Sequence, residues 1–504
     1  MRLNSMRWTL VALFLVHAVL GALLGLSVDE AHYALYAAHP ALSYFDHPPM
    51  VGWVQWPLVA LDAPDFVLRW VPGALWLATM LCVRRISVRL ACMQGVAPAP
   101  VVRWALGVLL LAPLLHLLGL GLLPDTLLMF WSALIFLQTL TLLDARAAQR
   151  TGPWLVLGLT LGLAGLSKYT AIFTAAAVAI CLLRAHGWAL VRAPRVWLAL
   201  LLALGCVSPV LVWNMQNHWI SFAYQASHGA GGGWHVLNVL RFLVLQCLAY
   251  GPLLLWGVGG AVVVWQSHSA ARWTGMFFAL PFGILAVLSG GGSSLPHWTA
   301  PAWICLAPFA GMALAQRSAL GRSLHLHSWV VLQVVACVAL PALLLSAGMP
   351  FMEGRVASVE SSDPPNPFAD VHGWDGAGAR ARALARAHGV SAVAVQNWTL
   401  ASRLGWYARP LPVYDLEDRF DQFTLWAGHL PVGARVLLVD WSQMSYTVPV
   451  SPVSGTYGFA QCDKLERSSV QVAGFDVAYF DYYLCSNWSG RAQAQLRPAQ
   501  AVQP

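Results

Sequence analysis

Charge is what this 504-residue chain has least of. Only 10% of its residues are Asp, Glu, Lys or Arg and 58% are hydrophobic, whereas an ordinary soluble domain carries about 25% charged residues. That balance excludes a soluble globular protein and leaves a polytopic α-helical membrane protein. Lysine is scarcest: residues 1–349 hold one, Lys168. None of the nine cysteines falls in a C-x-x-C spacing, so no metal-type cysteine pattern is present. Seven lie in or beside apolar runs and read as small buried hydrophobes. Cys462 and Cys485 stand apart, and a disulfide between them is plausible if their part of the chain faces an oxidising compartment. No internal repeat is visible, and no deep charge is identifiable in the apolar runs. A transporter or flippase, the rival reading, usually shows both.

The net charge of +8 dissolves on inspection. Residues 1–349 hold 17 Lys+Arg against 7 Asp+Glu, and residues 350–504 hold 12 against 14. The basicity belongs to membrane loops, so it signals orientation and not nucleic acid, for which no motif exists. Apolar runs of near-spanning length fall at about 8–26, 66–83, 102–121, 126–143, 153–167, 169–183, 196–212, 241–265, 273–289, 298–316 and 328–348. With the N-terminus cytoplasmic, these eleven crossings put fourteen basic residues of the membrane part inside and three outside. Such a bias supports that register. The first run, after Arg2 and Arg7, reads as a retained helix, since no convincing cleavage site precedes Asp29.

The acids segregate oppositely. Asp29, Glu30, Asp46, Asp62, Asp65 and Asp125 come out on the outer face, with Asp144 alone inside. A carboxylate at bilayer depth costs roughly 2.5–3.5 kcal/mol on insertion scales, so such groups survive mainly where water, ligand or a partner meets them. The segments 27–65, 213–240 and 289–298 are thus read as outer loops of one polar site. The first holds Asp29-Glu30 and the turn Tyr44-Phe45-Asp46-His47-Pro48-Pro49. The second pairs His218 and His228 with aromatics and a glycine run that permits a mobile gate. The third leads through Pro296-His297-Trp298 into a helix. Lys168, between two short apolar segments, suits an anionic phosphate or snorkels at a helix end. Asp125 reads as a helix N-cap, with lining the site a second role.

Beyond Pro350 the composition changes. Residues 361–367 form a Ser/Pro/Asn linker. Helix patterns at 375–388 and 400–407 alternate with strand patterns at 391–395, 411–414 and 435–439, as in a small α/β domain. Its first strand is not followed by G-x-G-x-x-G, so no nucleotide site is read there. The division expected is a membrane domain, 1–349, and an α/β domain, 350–504.

Asp29-Glu30-Ala-His-Tyr33, Leu42-Ser-Tyr-Phe-Asp-His-Pro-Pro-Met50, Gly165-Leu-Ser-Lys-Tyr169, Trp213-Asn-Met-Gln-Asn-His-Trp219 and Pro296-His-Trp298 form a set of polar and aromatic motifs. Together with Gly373-Trp-Asp375, Ala401-Ser-Arg-Leu-Gly-Trp-Tyr407 and Asp421-Gln-Phe-Thr-Leu-Trp426, they resemble bacterial polyprenyl-phosphate-dependent glycosyltransferases of the C-type fold. Those enzymes are relatives of protein O-mannosyltransferases and of the lipid A aminoarabinose transferase. The resemblance implies a C-type membrane fold with a periplasmic C-terminal domain, in the bacterial inner membrane. It implies a polyprenyl-phosphate-linked sugar as donor and a lipid, glycan or protein as acceptor. It makes Asp29 the catalytic acid of the first loop, with Glu30 its neighbour. Asp46-His47 falls where the aminoarabinose transferase has Glu-Lys, implicated in metal and lipid-phosphate contact. His228 corresponds to a metal-ligating histidine, and Arg241 to a phosphate-binding arginine. The implied reaction needs a base, Asp29, and positive charge on the departing phosphate from Lys168, Arg241 or a divalent cation. His47 and His297 are the further candidates for contact with the donor phosphate.

Overall fold

The computed structural model describes residues 3–230, 233–292, 294–321, 324–352, 365–417, 419–444, 446–447, 458–491 and 495–496. The chain divides into two compact units. One comprises residues 1–19 and 40–338; the other comprises 20–39 and 339–504. The stretch carrying Asp29 and Glu30 thus groups with the C-terminal residues.

The first unit is helical, as apolar runs in a bilayer must be, because only a helix pairs every backbone group within its own segment. Among the described residues, six helices are long and apolar enough to span: 65–93, Pro124–Leu142, Pro194–Gln216, 270–291, 296–319 and 326–345. Three bent pairs bring the number to nine: 8–23 with Val28–Ala38, Pro98–Leu110 with Pro113–Leu120, and 236–250 with 252–266. The eleven crossings read from hydropathy exceed this number. The other two segments, Thr151–Ser167 and Ala171–His186, are apolar helices of 17 and 16 residues, at the short end of the roughly 17–25 that cross a hydrocarbon core.

The breaks have identifiable causes. Pro113 ends one helix and starts another across a 72° bend; Gly251-Pro252 does so across 108°. Gly251 has φ +80°, and a Cβ there would stand 1.9 Å from Gln333 Nε2, so no other residue fits. A break strands backbone groups that the helix would have paired. Gln333, 3% exposed in an apolar helix, serves both: its Nε2 donates to Leu111 O (2.7 Å), and its Oε1 accepts from Leu253 N–H (3.3 Å).

The second unit holds a five-stranded sheet. Its strands are β1 (Val393–Val395), β2 (Val413–Asp415), β3 (Val436–Trp441), β5 (Phe459–Val472) and β6 (Phe475–Trp488), ordered β2-β1-β3-β6-β5; β4 (Tyr446–Thr447) and β7 (Gln495–Leu496) pair separately. β2, β1 and β3 are parallel, and the wholly buried β1 and β3 are the apolar runs legible in sequence. β5 and β6 form a long antiparallel hairpin that the alternation did not announce. Its turn, Ala473-Gly474, has φ of +52° and +86°, as a two-residue type I′ turn requires. Cys462 and Cys485 lie opposite each other across this hairpin and are joined by a disulfide. Residues 361–364 of the expected linker lie outside the described residues.

Candidate active site

In the first unit, the turn at residues 43–47 is held as a compact loop. Tyr44 N–H donates to His47 O (3.1 Å), and Trp53 Nε1 donates to Ala41 O (2.9 Å). The loop is latched to the helix Ile220–Ala230. Ser221 Oγ donates to Tyr44 O (2.8 Å), Gln225 Nε2 donates to Asp46 O (2.6 Å), and the Phe45 and Tyr224 rings meet at 4.6 Å. The segment read as an outer loop, 213–240, is mostly helix among the described residues, with a corner where His218 and Trp219 both adopt positive φ; Gly231 and Gly232 of its glycine run lie outside them. The latch leaves the Asp46 and His47 side chains half-buried, with His47 Nε2 3.9 Å from Asp46 Oδ2. His228 sits near the end of this helix, and its side chain lies outside the described residues.

The second cluster joins three distant segments. Lys168 Nζ lies 2.6 and 2.7 Å from the two oxygens of Asp125, His297 Nε2 lies 3.7 Å from Asp125 Oδ2, and the ammonium stands 5.5 Å from the Trp298 ring centroid. Lys168 follows the last residue of Thr151–Ser167 with an extended backbone, which aims it away from the helix axis. Asp125 is in the first turn of Pro124–Leu142 and 1% exposed. It is not the N-cap: Leu123 holds that position, and the Thr126 hydroxyl accepts from its N–H. The cap reading fails because Asp125 stands two residues past the cap position, behind Pro124. Pro296-His297-Trp298 is fixed by Tyr250 Oη, which donates to Pro296 O (2.9 Å). Arg241 is exposed on Val236–Tyr250 and makes no ion pair among the described residues.

In the second unit, Asp29 and Glu30 open the helix Val28–Ala38. Glu30 is committed to a capping box: Ser27 N–H and Oγ both donate to its Oε2, at 3.0 and 2.9 Å. Asp29 is half-buried beside this cap, and its charge acts on the buried Arg403 guanidinium. Burial pulls Arg403 down to about 9, while Asp29 and Tyr407 oppose that shift; the group stays charged at neutral pH. Its guanidinium pairs with Asp370 and lies over Trp374 (4.5 Å) and Trp441 (5.0 Å), contacts favoured by the negative ring faces. The same helix, Trp398–Tyr407, anchors the segment carrying Asp29. Tyr407 Oη accepts from Leu26 N–H (2.8 Å), and Ser402 Oγ meets His32 Nδ1 at 3.0 Å.

Arg403 was not singled out from sequence, although a signal exists. Leu400, Arg403, Leu404 and Tyr407 stand at i, i+3, i+4 and i+7, the spacing of a buried helix face. A cation there needs a partner.

A further carboxyl group stands out in this unit. Asp415 is pushed well above the usual carboxylate range by burial and by Asp421 beside it. Asp421 Oδ1 accepts from Phe423 N–H (2.8 Å) and Thr424 N–H (3.1 Å) and so caps Gln422–Ala427.

For a divalent cation, Asp46 and His47 are two donors of suitable type. Among the described residues no group of three His, Cys, Asp or Glu side chains gathers to hold one, and the side chain of His228, the metal ligand expected beside Asp46, lies outside them.

The chain is similar to several known proteins. Residues 46–213 match the family model described as dolichyl-phosphate-mannose-protein mannosyltransferase. The lipid A galacturonosyltransferase RgtD of Rhizobium johnstonii is 27% identical over 239 residues, which is 47% of this chain and 48% of the relative. The matched part therefore spans about half of that relative's length. The crystal structure of ArnT from Cupriavidus metallidurans bound to undecaprenyl phosphate aligns with TM-score 0.60 at 17% identity, over 95% of this chain and 98% of the other. Its apo state gives 0.59 with the same coverage. The chain is a multi-pass membrane protein of the C-type glycosyltransferase fold. Part of the chain is similar in sequence to the lipid A galacturonosyltransferase RgtD, and nearly all of it aligns with the fold of ArnT.

Proposed function

We propose that the protein moves a single sugar from a polyprenyl (undecaprenyl-type) phosphate to an acceptor at the periplasmic face of the bacterial inner membrane, its N-terminus cytoplasmic and its C-terminal domain periplasmic. The donor class is supported by the ArnT structure with undecaprenyl phosphate, whose fold runs the length of this chain. RgtD favours a lipid A-type acceptor over a free glycan or a protein.

The observation that carries the chemical reading is Asp29, a carboxylate on the first turn of a helix, under the field of a buried arginine. A phosphate bound to lipid is already a competent leaving group, so the reaction needs no general acid. It needs a base for the acceptor hydroxyl, and Asp29 takes that proton as the hydroxyl oxygen attacks the anomeric carbon. The bond to the phosphate oxygen breaks in line, which inverts the anomeric centre. Glu30, held by its cap, orients Asp29. His47, Arg241, His297 and Lys168 supply the positive charge or donors that the departing phosphate requires. Lys168, whose charge Asp125 already balances, offers the one N–H that the two bonds to that carboxylate leave over. A divalent cation at Asp46 would add charge of the same sign.

The test is mass spectrometry of lipids and surface glycans from cells with and without the gene. A lipid A species differing by one sugar residue is expected. Identical profiles would remove the proposal.

A further inference from the structure

The helix Trp70–Met93 ends in a basic patch that the proposed reaction does not use. Arg84, Arg85 and Arg89 belong to this helix, and two cavities open beside them. The first, about 340 Å³, has Arg84 and Arg85 on one side and Met6, Leu10, Leu81, Val102 and Leu106 around it. The second, about 470 Å³, adds Arg89 to the same two arginines, with Val88 and Leu137. No acidic residue lines either cavity. Arg89 is engaged, donating to Leu137 O (3.3 Å) and to Thr141 Oγ1. Arg84 and Arg85 make no ion pair or hydrogen bond among the described residues.

Position along the helix says what such cavities meet. Asp65 opens this span. At about 1.5 Å per residue, Arg84 lies about 28 Å further on, close to the roughly 30 Å of a hydrocarbon core. The arginines therefore reach the headgroup layer opposite the Asp65 end, on the arginine-rich side of the chain. A ligand there must offer an anion to two guanidiniums and an apolar body to Leu10, Leu81 and Leu106. A diacyl lipid with an anionic phosphate satisfies both, since guanidinium matches phosphate in geometry and charge.

We propose that Arg84 and Arg85 form a binding site for one anionic phospholipid of the cytoplasmic leaflet, its phosphate between the two guanidiniums and an acyl chain along the cavity lined by Leu10, Leu81 and Leu106. Free phosphate shares the headgroup chemistry but leaves the apolar wall unused.

The full-length protein, purified in detergent, is incubated with equimolar phosphatidylglycerol and phosphatidylcholine of identical acyl chains, and retained lipid is read by native mass spectrometry. At least fivefold preference for phosphatidylglycerol is expected. The double variant Arg84→Gln/Arg85→Gln should retain at least fivefold less, and Arg146→Gln/Arg192→Gln, which removes two arginines lining neither cavity, should retain as much as wild type. Equal retention of the two lipids would show binding blind to headgroup charge, an equal loss in both double variants would show charge attraction without a site, and either overturns the proposal. Displacement of the lipid by millimolar inorganic phosphate would show a free-phosphate site and overturn the proposal. Should the Arg84/Arg85 variant fail to fold, Leu81→Trp decides. That change obstructs the apolar wall and leaves both charges, and undiminished lipid retention in it contradicts the site.

Discussion

The Lys168 ammonium lies within 2.7 Å of both carboxylate oxygens of Asp125, and both residues are buried. The only lysine of residues 1–349 is thus compensated within the protein. Removing one partner of a buried pair strands the other charge, at a cost of about 3–5 kcal/mol. Lys168→Met is expected to lower stability by that amount in thermal unfolding of the detergent-solubilised protein. Lys168→Met/Asp125→Leu should recover most of it. If the pair also serves the donor phosphate, the double variant folds and transfers no sugar; a folded and fully active double variant would confine the pair to structure.

Gln333 gives a separate test of the fold. Gln333→Leu preserves the apolar helix and removes the partner of Leu111 O and Leu253 N–H together. Each unsatisfied buried group costs about 1–3 kcal/mol. A loss of about 2–4 kcal/mol is expected in the same unfolding measurement, and an unchanged midpoint would show that the two helix breaks do not depend on it.

Arg403 acts on Asp29 through charge. An opposite charge nearby favours the ionised form of a carboxylate, so Arg403→Gln should move the acid limb of the pH–activity profile upward, read as product formation in membranes across pH 5–8. An acid limb in place despite reduced activity would reduce Arg403 to a packing role.

Asp415 predicts a pH effect on stability. Its folded pKa is raised by burial and by Asp421, so between the unfolded value, about 3.9, and the raised one the native state binds more protons than the unfolded chain. Stability from this group is therefore full below about pH 4 and falls as pH climbs through the raised value. Asp415→Asn should flatten the fall and raise stability at pH 8 by at least about 1 kcal/mol, measured by unfolding midpoints from pH 4 to 9. Parallel curves for variant and wild type would contradict this.

Much of the molecule was legible in its sequence, for reasons that also explain what was not. The apolar runs mark helices because a bilayer leaves backbone no alternative, and Val393–Val395 and Val436–Trp441 show as apolar strands because both faces are buried. The β5–β6 hairpin stayed hidden because charged residues such as Lys464, Glu466 and Arg467 interrupt its alternation, and the cross-strand partner of Arg467 is Asp481. Lys168 and His297 were legible as polar residues out of place. Their convergence on Asp125 was not, since that needs three segments more than 40 residues apart to pack together. The grouping of residues 20–39 with the C-terminal unit was equally invisible, as it rests on contacts such as Leu26 N–H with Tyr407 Oη.

The most direct measurement is lipid mass spectrometry of a strain lacking the gene, complemented with wild type or with Asp29→Asn. Asp29→Asn preserves the size of the side chain and removes the base, and loss of a general base costs about 10²–10⁴ in rate. Wild type should restore a lipid A species heavier by one sugar, while Asp29→Asn, present at equal amounts in the membrane, should leave it missing. Restoration by Asp29→Asn at the wild-type level would contradict Asp29 as the base.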